Sequence, residues 1–176
     1  MGTNRQKDDF YPTPPEATTA LLNSENFSDG TIWECACGNG AMSKVLKEDG
    51  YKVYSSDLND YGFGLSHVDY LMTVKPDDNI TSVVTNPPYK LAKDFILRTL
   101  AFDIQKSAFL LRLSFLESMR RYDQLFHDNP PIRVHVFKKR LTIWRGDEER
   151  AGNGMVAYAW FVWEKGFSGN PEIFWI

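Results

Sequence analysis

The chain has 176 residues, 43% of them hydrophobic and 14% aromatic, with a formal net charge of −3. That length suits a single domain with a normal core, and the apolar content excludes a disordered chain. No apolar run reaches the roughly 18 residues a membrane span needs, and the polar opening MGTNRQKDDFYPTP lacks the apolar stretch of a secretory leader.

Residues 1–9 read as a polar, mobile segment. Met1-Gly2 opens a myristoylation pattern, but Gln6 stands where Ser or Thr is required and Lys7 and Asp8 follow. Residues 14–23 read as a helix with Thr13 as N-cap, Pro14 at its first position and Glu16 in the third place of a capping box. A strand over 31–37 runs into the turn Gly38-Asn39-Gly40. A helix over 41–49 then carries Met42, Val45 and Leu46 on one face and stops at Gly50. A strand over 51–56 follows, then a loop marked by Gly62 and Gly64, and a short strand or turn over 68–72. The β-branched run 82–85 reads as a buried strand. Further on come a helix over 91–102, a strand over 107–113, a helix over 115–127 and strands over 132–138 and 155–164. The last two strands are joined by a polar, glycine-containing loop over 139–154. Alternation of strand and helix with short connections predicts a doubly wound, mostly parallel sheet, ending in an antiparallel hairpin. Residues 10–176 form one domain in this reading, without repeats or a low-complexity tract.

The most informative stretch is Val84-Thr85-Asn86-Pro87-Pro88-Tyr89. Two prolines without N–H groups stop the strand and force an extended, stiff backbone. They present an amide, free carbonyls and an aromatic ring at a strand's carboxyl end, where open α/β sheets bind ligands. An ordinary Asn-Pro turn explains one proline but not the whole set. Glu34-Cys35-Ala36-Cys37-Gly38-Asn39-Gly40 follows the first strand, and its small residues let a cofactor approach the backbone closely. The helix behind it offers unpaired N–H groups. The full dinucleotide fingerprint is missing, which disfavours NAD. Asp57 ends the second strand, 23 residues after Glu34, where a carboxylate typically accepts ribose hydroxyls; the alternative is a turn aspartate before Asn59-Asp60.

Cys35 and Cys37 are the only cysteines. They point to a reducing, cytoplasmic compartment and are a poor disulfide pair on one strand face. No metal is expected, since His67, His127 and His135 show no ligand spacing. Charge is uneven: residues 112–145 hold eight Lys or Arg against three acids, net +5, leaving −8 elsewhere. That segment is compatible with a phosphate-binding face, or is simply a solvated surface. Trp160, Phe161 and Trp163 read as core. Trp144, inside the basic loop, is equally a nucleic-acid contact or a packed residue.

Asn86-Pro87-Pro88-Tyr89 resembles motif IV of the S-adenosylmethionine (SAM)-dependent methyltransferases that act on exocyclic or amide nitrogens, above all the DNA adenine-N6 enzymes. Glu34-x-x-Cys37-Gly38-x-Gly40 is similar to their motif I, Asp57 to motif II and Asp69-Tyr70 to motif III. Phe10-Tyr11-Pro12-Thr13-Pro14-Pro15-Glu16 resembles motif X, the Thr-Pro segment at the methionine end of SAM, which precedes motif I in the gamma-type enzymes. Leu91-Ala92-Lys93-Asp94-Phe95 fits the helix after motif IV. One departure is Cys35, where many members have proline. The ordered set covers roughly the first 100 residues. The C-terminal part is more loosely similar to small phage-type adenine methyltransferases.

This resemblance implies a class I SAM-methyltransferase (Rossmann-like) fold, SAM as cofactor and DNA as partner, in bacterial or phage-infected cytoplasm, as monomer or homodimer. It implies catalysis by Asn86, Pro87, Pro88 and Tyr89, with Asn86 Oδ1 and the Pro87 carbonyl accepting the amino hydrogens and Tyr89 stacking on a flipped base. Cofactor binding falls on Tyr11, Thr13, Glu34, Cys35, Ala36, Cys37, Gly38, Gly40, Asp57, Leu58, Asp69, Tyr70 and Asn86. Nucleic-acid contacts fall on Arg120, Arg121, Lys138, Lys139, Arg140, Trp144 and Arg145. Residues 115–154 are the region left for reading bases. RNA-adenine and protein-glutamine methyltransferases share Asn-Pro-Pro-Tyr and are the alternatives. A SAM- or nucleic-acid-binding protein without turnover is an alternative of another class.

Overall fold

Residues 11–143 and 156–176, described by a computed structural model, build a seven-stranded sheet in the order β2-β1-β3-β4-β6-β5-β7. The strands are β1 (Thr31–Glu34), β2 (Lys52–Ser55), β3 (Ile80–Thr85), β4 (Lys106–Arg112), β5 (Arg133–Val136), β6 (Tyr158–Glu164) and β7 (Glu172–Trp175). β1 pairs in parallel with β2 and β3, and β3 with β4. β6 lies antiparallel between β4 and β5. The expected mostly parallel sheet with an antiparallel hairpin is therefore present. One strand is additional: β7 runs parallel to β5 at the edge, and its exposed side chains give no alternating pattern to read.

Helices cover both faces. α1 (Pro15–Leu22) and α2 (Ala41–Glu48) pack Ala17, Leu21, Met42 and Leu46 against Ile32, Leu110 and Trp160. α3 (Ala92–Ala101) packs Phe95 and Ile96 on the opposite face, with Trp33, Tyr70, Phe109 and Phe161. Trp160, Phe161 and Trp163 are core residues, as expected.

Two expected helices differ. The N-cap of α1 is Pro14, without a side-chain cap bond, so no capping box forms; the Thr13 hydroxyl accepts a bond from Asn86 instead. Over 115–127 there is no continuous helix. A 3-10 turn (Leu113–Leu116) is followed by one α turn, α4 (Met119–Arg121), which widens into a π turn (Tyr122–Phe126). Ser118 Oγ caps that turn by accepting the Arg121 N–H, which restarts the chain direction in mid-segment. The 68–72 stretch is a turn closed by Asp69.

A buried charge cluster fastens the N-terminal side of the chain to the antiparallel end of the sheet. Glu25 is buried and bonded to Arg133 of β5, Lys106 of β4 and His135 of β5. Arg133 also meets Glu164 of β6. Burial alone would push the Glu25 carboxyl up, but the bonds from His135, Arg133 and Lys106 outweigh it and hold it at about 2. A depressed carboxylate stabilises the fold above its unfolded value near 4.5 and loses that contribution as pH falls through 2. The shift is worth about 3 kcal/mol. Urea unfolding followed from pH 6 to pH 2 should show stability falling below pH 4.5, and Glu25→Gln should cost about 3 kcal/mol at pH 7 and flatten that fall.

Candidate active site

α2 follows β1 onto one face of the sheet and α3 follows β3 onto the other. The neighbouring carboxyl ends of β1 and β3 thus form a topological switch point, where a crevice must open. A cavity of about 190 Å³ lies there. All four expected catalytic residues line it. So do Tyr11, Thr13, Glu34, Cys35, Ala36, Cys37, Gly38, Asp57, Leu58, Asp69 and Tyr70.

Gly40 is the exception among the expected cofactor residues. It begins α2 at φ 78°, and a Cβ on it would fall 2.4 Å from Phe63 Cδ1. Its missing side chain makes room for the Phe63 ring, which sits under the Lys44 and Lys47 ammonium groups. The glycine thus serves the packing of the 57–65 loop onto the turn. Sequence reading missed Phe63 because a lone aromatic between two glycines carries no periodic signal. It also missed Asn59 and Tyr61, which line the cavity but read only as a turn.

Asp57 clips two loops together. Its Oδ2 accepts the Gly38 N–H at 2.8 Å and its Oδ1 accepts the Asn59 N–H at 2.9 Å. The carboxylate is therefore both a turn residue and fixed in orientation at the cavity wall. Glu34 is buried beneath it. Ser43 Oγ donates to Glu34 Oε2 and lies 2.7 Å from Ser55 Oγ. Burial pushes the Glu34 carboxyl up to about 8; Ser43 offsets part of this and the Asp57 charge adds to it. Burial also raises both thiols, Cys37 to about 12 and Cys35 well above its ordinary value, so neither is a nucleophile. Among the described residues no group of three His, Cys, Asp or Glu could hold a metal.

Asp69 is exposed and accepts the Leu71 N–H at 3.0 Å. Tyr70 is chiefly core: its hydroxyl is 2.6 Å from Thr99 Oγ1 and its ring packs on Trp33 and Phe95. Asn86 Nδ2 donates to the Tyr11 carbonyl at 3.4 Å and to Thr13 Oγ1 at 3.2 Å, while Asn86 Oδ1 is buried without a hydrogen-bond partner. Tyr89 lies among Tyr11, Tyr158 and Arg112, with the Arg112 guanidinium 4.6 Å over its ring. Arg112 ends β4, and sequence reading counted it only as one charge in the basic segment.

The basic residues sit beyond the same carboxyl edge, since β5 runs parallel to β4 across β6. Arg120, Lys138, Lys139 and Arg140 are exposed. Arg121 is tied down: it donates to the carbonyls of Phe115, Ser114 and Glu117. Trp144 and Arg145 lie outside the described residues.

No family model and no curated sequence matches the chain. Solved structures do. A type I restriction-modification methyltransferase subunit from Streptococcus thermophilus aligns with TM-score 0.63 and 14% identity over 96% of this chain and 48% of its own. A Pyrococcus horikoshii protein described as an RNA methyltransferase aligns with TM-score 0.67 and 14% identity over 89% and 87%. A dimethyladenosine transferase from Plasmodium falciparum aligns with TM-score 0.59 and 13% identity over 86% and 61%. The chain spans about half the length of the first of these. The likeness shows the fold, that of the Rossmann-like, class I SAM methyltransferases.

The raised Glu34 carboxyl makes a testable demand. Between its unfolded value near 4.5 and its folded value of about 8 the folded chain binds the extra proton. Its stabilising contribution is complete below pH 4.5 and lost as pH rises through 8. Glu34→Gln mimics the protonated form, so urea unfolding of that variant should show a shallower loss of stability from pH 5 to pH 8 than the parent chain.

Proposed function

We propose that this chain transfers a methyl group from SAM to the exocyclic N6 amine of adenine in DNA. The Asn86 carboxamide carries this reading. Its NH2 is held by Tyr11 and Thr13, and its Oδ1 is a buried acceptor without a partner. An unsatisfied buried acceptor costs about 1–3 kcal/mol, a cost that a donor arriving with the substrate would remove. Adenine N6 is a weak nucleophile because its lone pair is delocalised into the ring. Asn86 Oδ1 and the Pro87 carbonyl, accepting its two hydrogens, draw the nitrogen toward tetrahedral geometry and localise that pair. Tyr89 supplies the plate on which an extruded base stacks.

The cavity residues fit SAM. Ala36 and Gly38 leave the backbone close to the cavity, the Asp57 carboxylate at its wall would accept ribose hydroxyls, exposed Leu58 follows it, and Asp57 and Asp69 are the charged acids that would face a cationic ligand. When bound, SAM supplies a methyl carbon activated by a positively charged sulfur. The basic residues past β4 and β5 support a nucleic-acid substrate, and the restriction-modification neighbour supports DNA.

Tritiated-methyl transfer measured in parallel on DNA, RNA and protein tests the substrate class; label in RNA or protein alone would overturn the DNA reading. Asn86→Ala should lower transfer by about a thousandfold while SAM affinity, read by calorimetry, stays within a few-fold. Asp57→Ala should weaken SAM about ten- to hundredfold, the loss of one or two hydrogen bonds to a charged group. Unchanged affinity would remove the ribose role.

A further inference from the structure

Asp and Asn side chains in this protein have a strong local habit. Asn39, Asp57, Asp60, Asp69 and Asp77 each turn Oδ1 back onto the backbone N–H two residues ahead, at 2.8–3.2 Å. Each of these Asx turns needs an N–H two residues ahead. Asn86 stands just past the end of β3, as Asp57 does past the end of β2, yet its Oδ1 has no partner. Two residues ahead stands Pro88, which has no N–H.

We propose that Pro88 is a positioning residue: it withholds the N–H that would otherwise capture Asn86 Oδ1, and so keeps that oxygen open for the substrate amine. The inference rests on the reading that Asn86 Oδ1 receives that amine. Two observations isolate the role. The opposite end of the carboxamide is already spent on Tyr11 and Thr13, and turning the amide over would lose the bond to the Tyr11 carbonyl, which can only accept. Pro87 is buried and stands one residue too early for the turn, so its own missing N–H does not serve this purpose. A residue with an N–H at position 88 would compete with substrate from within the site, at a local concentration no substrate reaches.

The test separates the missing N–H from the stiffness of the ring. Position 88 is filled with alanine, or by nonsense suppression with lactic acid, which has the same side chain but an ester oxygen in place of N–H. Pro88→Ala should lower kcat at least about tenfold with SAM affinity unchanged. The lactic acid chain should run at least about threefold faster than the alanine chain, short of the parent rate because its ester makes the Pro87 carbonyl a weaker acceptor. In Pro88→Ala the new N–H should be protected from hydrogen exchange, and adding Asn86→Ala should remove that protection. Pro88→Ser supplies the same N–H if the alanine chain does not fold. Equal losses in the alanine and lactic acid chains would overturn the proposal, as would an alanine chain at the parent rate. If the parent chain methylates neither DNA, RNA nor protein, the methyl-transfer reading falls instead; exchange then decides the geometry, a protected N–H supporting it and an unprotected one overturning it.

Discussion

Everything at this site depends on which way one carboxamide points. An amide can present either end, and its choice is fixed by its neighbours. The Tyr11 carbonyl can only accept, so the NH2 of Asn86 must face it, and Thr13 Oγ1 completes the hold. The oxygen is thereby turned the other way. This couples the segment before α1 to the end of β3, across more than 70 residues of chain. α1 is in turn anchored to the sheet by Trp160, whose Nε1–H donates to the Ala17 carbonyl at 2.8 Å. The orientation of a single oxygen is thus maintained by the docking of a helix.

The cavity floor shows the same economy. Two acids stand side by side, and their environments separate them. Asp57 takes two backbone N–H groups, whereas Glu34 sits deeper and is neutral at pH 7. A neutral Glu34 lets Ser43 and Ser55 complete a hydrogen-bonded floor without an unpaired buried charge. The Gly38 N–H that Asp57 accepts holds the β1 turn against the end of β2, and Phe63 over Gly40 closes the same joint from outside. Three glycine-dependent contacts therefore shape the cavity wall: Gly38 at φ 50°, Gly40 at φ 78°, and Gly64 at φ 70°, where a Cβ would meet the Ser55 carbonyl at 2.7 Å.

Periodicity and punctuation made the sheet legible. β1 to β6 are found where branched and aromatic residues cluster between turn signals, and the prolines after β3 mark its end. β7 was not legible, because Ile173, Phe174 and Trp175 are all exposed and an edge strand need not alternate. The broken 115–127 segment has helical composition, but Ser118 resets it through a side-chain bond that no propensity encodes. At the site, residue types announced the chemistry, while contacts between distant segments stayed hidden. Thr13 read as a helix cap because the local pattern fits a cap; its real partner is Asn86. Gly40 read as a cofactor residue because glycine near a phosphate or nucleoside and glycine under an aromatic ring look alike in one dimension. Arg112 on Tyr89 could not be foreseen from a strand that ends in arginine.

The uneven charge of the chain becomes intelligible only through strand order. In sequence, an acidic first part precedes a basic segment from 112 to 145. In space, β2 and β1 lie on one side of β3 and β4, β6 and β5 on the other. The charged acids of the cavity, Asp57 and Asp69, therefore lie past β2, while Arg112, Arg120 and Lys138 to Arg140 collect past β4 and β5. Asn86 to Tyr89 end the strand between them. The motif thus lies between an acidic flank and a basic one. The two flanks separate because the cavity acids precede β3 in the chain and the net +5 of residues 112–145 follows it.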